Sequence, residues 1–496
     1  NPNEVAEKIK SPLFKKVEIK NGFINFFIAD NVFLDGIKKI DKNFGRNSEL
    51  KIKKIIIDYT DPNPFKEFHI GHLMSNAIGE SISRIFEFQG SKVKRVCYQG
   101  DVGIHVAKAI WGRLCNKNLQ WGQAYSFGAK MYEDDENAKK EIIELNKKIY
   151  NRSDKEINKL YDQGKKESLK NFDKIYKKLD TNFDYFIFES ETGLLGKKIV
   201  EQGLKKGIFE KGEGGAIIFK GEKYGLHTMV FINSDGLPTY GAKDLALAEV
   251  KFKKYKYDKS VVVTAVEQNS HFEVMLKAME QVTPELAKKT KHIGHGMLRL
   301  PEGKMSSRTG KVVTGESLIS QVEELIKQKI ADRGLTEKEK TEISQKVAVG
   351  AIRYSVLKQK IGSDIIYDFD KSISFEGDSG PYLQYAYTRA QSVLKKAKKE
   401  KIRPSFKILP DEISQLEKTM NYFPDIVLQA GKKYEPHHIL LYLTKLAGEF
   451  NSYYAENKIV DKNEKISPYR IALTSAFVQI MKNGMWLLGI QTLEKM

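Results

Sequence analysis

Cysteine is nearly absent from this chain of 496 residues: only Cys97 and Cys115 occur, with no Cys-x-x-Cys pair. That argues against a disulfide framework or a zinc ribbon, leaves no metal site to expect, and suits a reducing compartment such as the cytoplasm. Long apolar runs are missing as well. No stretch of eighteen apolar residues exists to cross a bilayer, and the N-terminal stretch lacks a signal-peptide core, so no membrane partner is expected. Internal repeats and low-complexity tracts are also lacking, and nothing points to a solenoid. Acidic residues are the scarcer sign: 64 Asp+Glu face 83 Lys+Arg, a formal net charge of +19. A surplus that large fits a polyanionic partner through phosphate neutralisation, although a lysine-rich proteome would give the same count. What is present is globular material. With 41% hydrophobic and 30% charged residues the chain can bury a core, and its length calls for roughly two to four domains. It opens at Asn1 rather than Met, so a preceding piece is expected to be missing.

Patterning divides the chain into parts. Residues 1–48 read as a small α+β remnant, with an alternation over 14–27 that predicts strands too few to be stable alone. Residues 49–376 carry an α/β pattern. A β-branched run at 54–59 predicts a buried parallel strand, and a turn rich in Pro and Asn follows at 60–64. A helix then opens near His69, with apolar spacing through Leu73, Ala77, Ile78, Ile82, Ile85 and Phe86, before a strand at 93–98. Together these make a βαβ unit. Residues 115–195 are rich in Lys and Glu and read as a mostly helical insertion. Strand patterns resume at 215–220, 228–232 and 261–265, with a helix over 241–253 between the last two. Residues 377–496 read as an all-helical domain. The expected fold is therefore α/β: a doubly wound, Rossmann-type parallel sheet with a helical insertion, plus a C-terminal helical bundle and the N-terminal remnant.

Two short signatures carry chemistry. His69-Ile70-Gly71-His72 follows a predicted strand and begins a helix, where free backbone N–H groups and the dipole favour phosphate. Gly71 lets a flat adenine lie against the backbone, and His69 and His72, three apart, can donate to phosphate oxygens. Lys304-Met305-Ser306-Ser307-Arg308 sits between Gly303 and Gly310, a loop whose lysine and hydroxyls could hold a departing pyrophosphate. The two look like halves of one ATP site. The chain supplies its own control in His292-Ile293-Gly294-His295, the same tetrapeptide followed by Gly296 and a strand-like run. No long helix can start there, and that copy reads as incidental. Tyr240 and Asp244 lie one helical turn apart and can share a face, as a pocket for a long cation or as an ordinary i,i+4 pair.

The chain resembles the arginyl branch of the class I aminoacyl-tRNA synthetases. The likeness is carried by residues 58–72 (DYTDPNPFKEFHIGH), by Gly100-Asp101-Val102-Gly103 with Val102 in place of the family's tryptophan, and by residues 235–244 (DGLPTYGAKD). Gly380-Pro381-Tyr382-Leu383-Gln384-Tyr385-Ala386 and the closing Leu487-Leu488-Gly489-Ile490 are similar too. The resemblance implies an ATP-dependent ligase that uses Mg2+ with ATP, activates L-arginine as its adenylate and loads it on arginine tRNA, with activation requiring bound tRNA. It further implies that Asp58 and Asp244 hold the guanidinium, that Tyr240 lines the pocket, and that Asn63 and Gln268 hold the α-amino and carboxylate groups. His69 and His72 would stabilise charge at the α-phosphate. Lys304 or Lys66, which precedes the first histidine, would hold the pyrophosphate; both are present and the choice stays open. Gly71, Met305, Ser306 and Ser307 complete the ATP set. Residues 1–48 would contribute to tRNA binding and 377–496 to anticodon binding, with one or two of Tyr434, His437, Tyr442, Phe450, Tyr453 and Tyr454 stacking on bases. The chain is expected to act as a monomer. A cysteine-specific relative would need a zinc-ligand set that is missing, and a non-catalytic relative would be free to lose His69, His72 and Lys304.

Overall fold

The alternation near the N-terminus becomes a hairpin. β1 (Phe14–Lys20) and β2 (Phe23–Ile28) pair antiparallel. Asn21 and Gly22 between them take φ of 53° and 79°, the left-handed pair that a tight hairpin turn needs. Helix α1 (Asp30–Lys38) follows. The computed structural model describes residue 9, residues 11–299 and residues 314–496. They form two units: residues 50–325 with 359–368, and residues 1–49 with 326–358 and 369–496.

The first unit is built on a five-stranded sheet, parallel throughout. Its strands are β3 (Lys54–Asp58), β4 (Lys92–Gln99), β5 (Tyr185–Phe188), β9 (Lys259–Ala265) and β10 (Thr290–His295), in the spatial order β10-β9-β3-β4-β5. Counted in chain order within the sheet, that is the doubly wound arrangement in which the winding reverses beside the first strand. β3 carries Ile55, Ile56 and Ile57, all buried, as a strand covered on both faces requires. Helix α2 (Ile70–Phe88) connects β3 to β4. It is buried on nearly every side, and a Cβ at its Gly79 would lie 2.3 Å from Tyr59 Cγ, so the glycine sets how closely helix and strand-end approach.

Helices α3 (Ile104–Cys115), α4 (Trp121–Asp134), α5 (Glu136–Asn151) and α6 (Lys155–Lys178) follow β4. They share a core of Phe65, Val106, Ile110, Trp121, Ile142 and Tyr161. Then come β5 and α7 (Glu189–Lys205). The span read as insertion thus ends in a strand of the main sheet. Its four residues, Tyr185-Phe186-Ile187-Phe188, are too short an apolar run for periodicity to identify. The strand patterns near 215–232 differ in the other direction. β6 (Glu210–Lys211), β7 (Ile217–Phe219) and β8 (Met229–Ile232) make a separate antiparallel sheet, because short returns of chain pair with their neighbours rather than crossing over. Helix α8 (Tyr240–Lys254) leads into β9, and α9 (Asn269–Val282) and α10 (Pro284–Lys289) lead into β10. The two-residue strands β11 (Leu298–Arg299) and β12 (Ile365–Ile366) pair with each other, and α11 (Gly315–Lys329) opens after residue 314.

The second unit is helical beyond the N-terminal hairpin. α12 (Glu337–Leu357), the short α13 (Phe369–Ser372) and α14 (Gly380–Lys399) precede α15 (Gln415–Asn421), α16 (Phe423–Lys433), α17 (His437–Glu456) and α18 (Ser467–Leu487). Gly489, at φ 68°, lies against Arg353, whose Nη1 would be 2.3 Å from a Cβ there. The glycine of the closing motif therefore makes room for a fully buried arginine. Among the aromatics singled out near the C-terminus, Tyr442 and Phe450 are core, and Tyr454 is 40% exposed.

Candidate active site

The winding reverses between β3 and β9, and the carboxyl ends of those two strands leave a crevice. A cavity of about 180 Å3 sits there. Asp58, Asp61 and Asn63 from the end of β3 and its following turn line it, with Gly100, Glu189, Gln268 and His271. Helix α8 adds Tyr240, Asp244 and Lys251, a stripe at helical spacing. All five residues expected to hold the amino acid, Asp58, Asn63, Tyr240, Asp244 and Gln268, are brought together around this one cavity. Tyr240 stays 59% exposed and so keeps ring surface for a ligand.

The turn that delivers Asp61 and Asn63 is strained. Thr60, Asp61 and Phe65 have φ of 82°, 45° and 71°, a region costly for residues with side chains. Packing and hydrogen bonds over-determine it. Asp61 Oδ1 accepts from Tyr98 N at 2.7 Å, Asn63 Oδ1 from Gly100 N at 2.8 Å, and Ser168 Oγ from Phe65 N at 3.0 Å. Phe65 meets Trp121 edge-on with ring centroids 5.1 Å apart. A few residues on, Asp101 is fully buried and receives Tyr161 Oη, Lys165 Nζ and both Ser190 donors, which ties the Gly100–Gly103 motif to α6 and α7.

Each carboxylate of the cavity has an internal partner. Asp58 Oδ2 lies 3.1 Å from Lys251 Nζ, with side chains 2% and 3% exposed. Glu189 receives Lys243 Nζ, and Asp244 Oδ2 receives His271 Nε2 at 2.7 Å. Burial pushes the Asp58 carboxyl up, with Lys251 opposing it, and pushes Asp61 well up with Asp58 adding to the effect. Glu189 is raised by burial in spite of Lys243. Burial would lower the Lys243 ammonium, yet Glu189 and Tyr150 hold it above its usual value. A cluster of acceptors that is short of water and flanked by an aromatic ring suits a planar cation.

At the other side of the same turn, His69 is the N-cap of α2 and His72 lies in its first turn. Their rings stack with centroids 3.5 Å apart, and His69 N donates to His72 Nδ1 at 3.1 Å. A neutral His72 therefore carries its proton on Nε2, free to donate. Burial lowers His72 well below the usual imidazole value, with His69 and Lys66 adding to the effect, and burial followed by Lys66 lowers His69. A Cβ on Gly71 would lie 3.1 Å from the His69 ring. Lys66 Nζ stands 4.7 Å from the centre of the Tyr125 ring. Lys304, Met305, Ser306 and Ser307 lie outside the described residues. Thr314 bridges to His69, and Gly315 N donates to Phe68 O at 2.7 Å. The second tetrapeptide forms the edge strand β10, where His292 stacks on Phe272 at 4.0 Å and bonds Thr264.

Sequence reasoning passed over Glu189, Lys243, Lys251 and His271. Lys243 and Lys251 fall three and eleven places after Tyr240, and His271 three after Gln268, so face counting could have found them. Glu189 follows a strand too short to recognise, and had no local signal.

Residues 38–369 match the family described as tRNA synthetases class I (R), catalytic domain, and residues 383–496 match the DALR anticodon binding domain. The arginine–tRNA ligase of Clostridium acetobutylicum is 32% identical over 99% of the chain and 90% of its own length. That of Halothermothrix orenii is 32% identical over 100% of the chain and 91% of its length. The crystal structure of arginyl-tRNA synthetase from Plasmodium falciparum superposes with a TM-score of 0.78 at 24% identity, covering 100% of this chain and 88% of that one.

Proposed function

Because the chain belongs to the class I arginyl-tRNA synthetases, we propose that the cavity between β3 and β9 binds L-arginine and that the start of α2 binds the phosphates of ATP. The protein is an arginine–tRNA ligase. In its first step the arginine carboxylate attacks the α-phosphorus of ATP, forming arginyl-adenylate and releasing pyrophosphate. In the second, a hydroxyl of the terminal tRNA ribose takes the arginyl group and AMP leaves.

The roles follow from the chemistry of each group. Asp244 and Asp58 hold the guanidinium, Glu189 supports them, and Tyr240 covers its plane. Asn63 and Gln268 orient the α-amino and carboxylate groups. His69 and His72 donate to the α-phosphate oxygens as charge grows, and Gly71 keeps the backbone open to adenine. Lys304 or Lys66 stabilises the leaving pyrophosphate, with Met305, Ser306 and Ser307 beside Lys304. Mg2+ enters on the phosphates as part of the nucleotide substrate. Catalysis on this reading is positioning and preorganised electrostatics.

We assign the larger parts in the same way. Residues 49–376 form the catalytic part, with the helical stretch 115–184 inserted ahead of β5; 377–496 bind the anticodon, and 1–48 contribute to tRNA binding. The match of 383–496 to an anticodon binding domain supports the second assignment. A cytoplasmic location is supported by two unpaired thiols, Cys97 and Cys115. None of the described helices is long and apolar enough to cross a membrane. A monomer is proposed because one chain supplies the whole cavity lining, and sedimentation would test it.

The observation that carries this reading is the gathering of Asp58, Asn63, Tyr240, Asp244 and Gln268 around one cavity beside the β3–α2 turn. Arginine- and tRNA-dependent release of AMP from ATP tests it, with His72→Ala, Lys66→Ala and Lys304→Ala alongside. A large fall in kcat for His72→Ala and for at least one lysine variant is expected. Unchanged rates in all three would remove α2 from the ATP site.

A further inference from the structure

Lys251 lines the cavity from the last turn of α8, yet none of the roles above uses it. Its ammonium and the Asp58 carboxylate are both out of water and 3.1 Å apart. Two such groups persist as ions only by satisfying each other, since either alone would give up its charge. The other oxygen of the same carboxylate, Asp58 Oδ1, is buried and takes no hydrogen bond from a donor among the described residues. Asp61 and Asp244 are its acidic neighbours. Asp61, pushed well up by burial and by Asp58, is the proton-carrying member of the Asp58–Asp61 pair and can donate to Asp58. That leaves the Asp58 carboxylate ionised, with lone pairs still open to a ligand. The pattern repeats around the cavity: His271 occupies Asp244 Oδ2, and Lys243 occupies Glu189 Oε2. Each carboxylate gives one oxygen to the protein.

We infer that Lys251 is a specificity-determining positioning residue of the arginine pocket: it fixes Asp58 Oδ2 and balances that charge, so that Oδ1 meets the guanidinium as an acceptor of set direction while Asp244 supplies the countercharge. The inference rests on arginine being the ligand of this cavity. Without Lys251 the buried Asp58 carboxyl, already raised by its surroundings, would take up a proton. An acceptor would then become a donor that opposes a guanidinium N–H. Two acceptors pinned in direction also distinguish ligands by shape. A planar fork of N–H groups can meet both, whereas the compact ammonium of a lysine side chain reaches one well. A neutral ureido analogue such as citrulline fits the shape and leaves the Asp244 charge unanswered.

The test is steady-state charging of tRNA by wild type, Lys251→Met, Lys251→Arg, and Lys251→Met combined with Asp58→Asn. The arginine KM is read beside the KM values for ATP and tRNA and the melting temperature. Lys251→Met is expected to raise the arginine KM by about tenfold or more, with ATP and tRNA KM within about twofold. Lys251→Arg should recover most of the loss. The double variant should bind arginine better than Lys251→Met alone, because Asn offers an acceptor with no uncompensated charge. An unchanged arginine KM in Lys251→Met overturns the inference. So does a parallel rise in all three KM values, or a Lys251→Arg no better than Lys251→Met. If Lys251→Met melts below the assay temperature, the double variant decides, since it lacks the buried charge. An arginine KM within about tenfold of wild type supports the inference, and a larger rise overturns it. Wild-type charging separates this from the reading beneath it. No arginine charging at all would sink both, whereas normal wild-type charging with indifferent variants would sink only the role of Lys251.

Discussion

His72 illustrates how much of the chemistry is set by a single side chain's surroundings. Its Nδ1 accepts the His69 backbone N–H, which requires that nitrogen to be unprotonated and so places the proton of the neutral ring on Nε2, and its buried position keeps it neutral. Replacement by Asn, which can donate in a similar place, should preserve more kcat than replacement by Ala. Loss of one such donor typically costs on the order of a hundredfold in kcat. Asp244→Asn belongs to the other half of the site. It should raise the arginine KM by roughly tenfold to a hundredfold and leave the ATP KM alone, since it removes a charged acceptor from one ligand. A third residue-scale effect concerns stability. His105 is buried and bonded to Gly100 O, and burial, with Lys66 next, lowers its pKa to about 4. The unfolded chain would bind that proton near the ordinary imidazole value and the folded one would not. Stability is therefore lost as pH falls from about 6.5 towards 4, by up to about 3 kcal/mol from this group. Urea midpoints measured between pH 7 and 4.5 should fall, and His105→Gln should flatten the slope.

At the scale of elements, the turn from β3 to α2 and the close fit of α2 place the two halves of the site. Gly79→Ala drives a methyl against the Tyr59 ring and should cost about 1–3 kcal/mol, read as a lower melting temperature. Much of this element was legible in the sequence. The β-branched run, the Pro/Asn turn and the helical spacing after His69 have local signals, and so do Tyr240 and Asp244 at one turn's separation. What was not legible shares a physical cause. β5 is four residues long, and β7 and β8 pair with each other rather than with the main sheet. Local periodicity cannot tell these arrangements apart. Glu189 and Lys243 are 54 positions apart, and Asp58 and Lys251 are 193 apart. Such partners become neighbours only through the sheet order, so the ion pairs that shape the pocket have no trace in spacing.

At the scale of the whole molecule, a net charge of +19 is a prediction about tRNA. The tRNA KM should climb steeply with salt, while the arginine and ATP KM values change little, as phosphate neutralisation requires. A flat salt response would assign the surplus lysines to composition rather than to binding. The central claim is that the crevice at the sheet's reversal selects arginine for transfer to tRNA. It is tested most directly by offering tRNA and ATP to the enzyme with each of the twenty amino acids in turn, for wild type and Asp244→Asn. The account predicts attachment of arginine alone, with the variant impaired through its arginine KM. Attachment of another amino acid, or arginine charging that ignores Asp244→Asn, would contradict it.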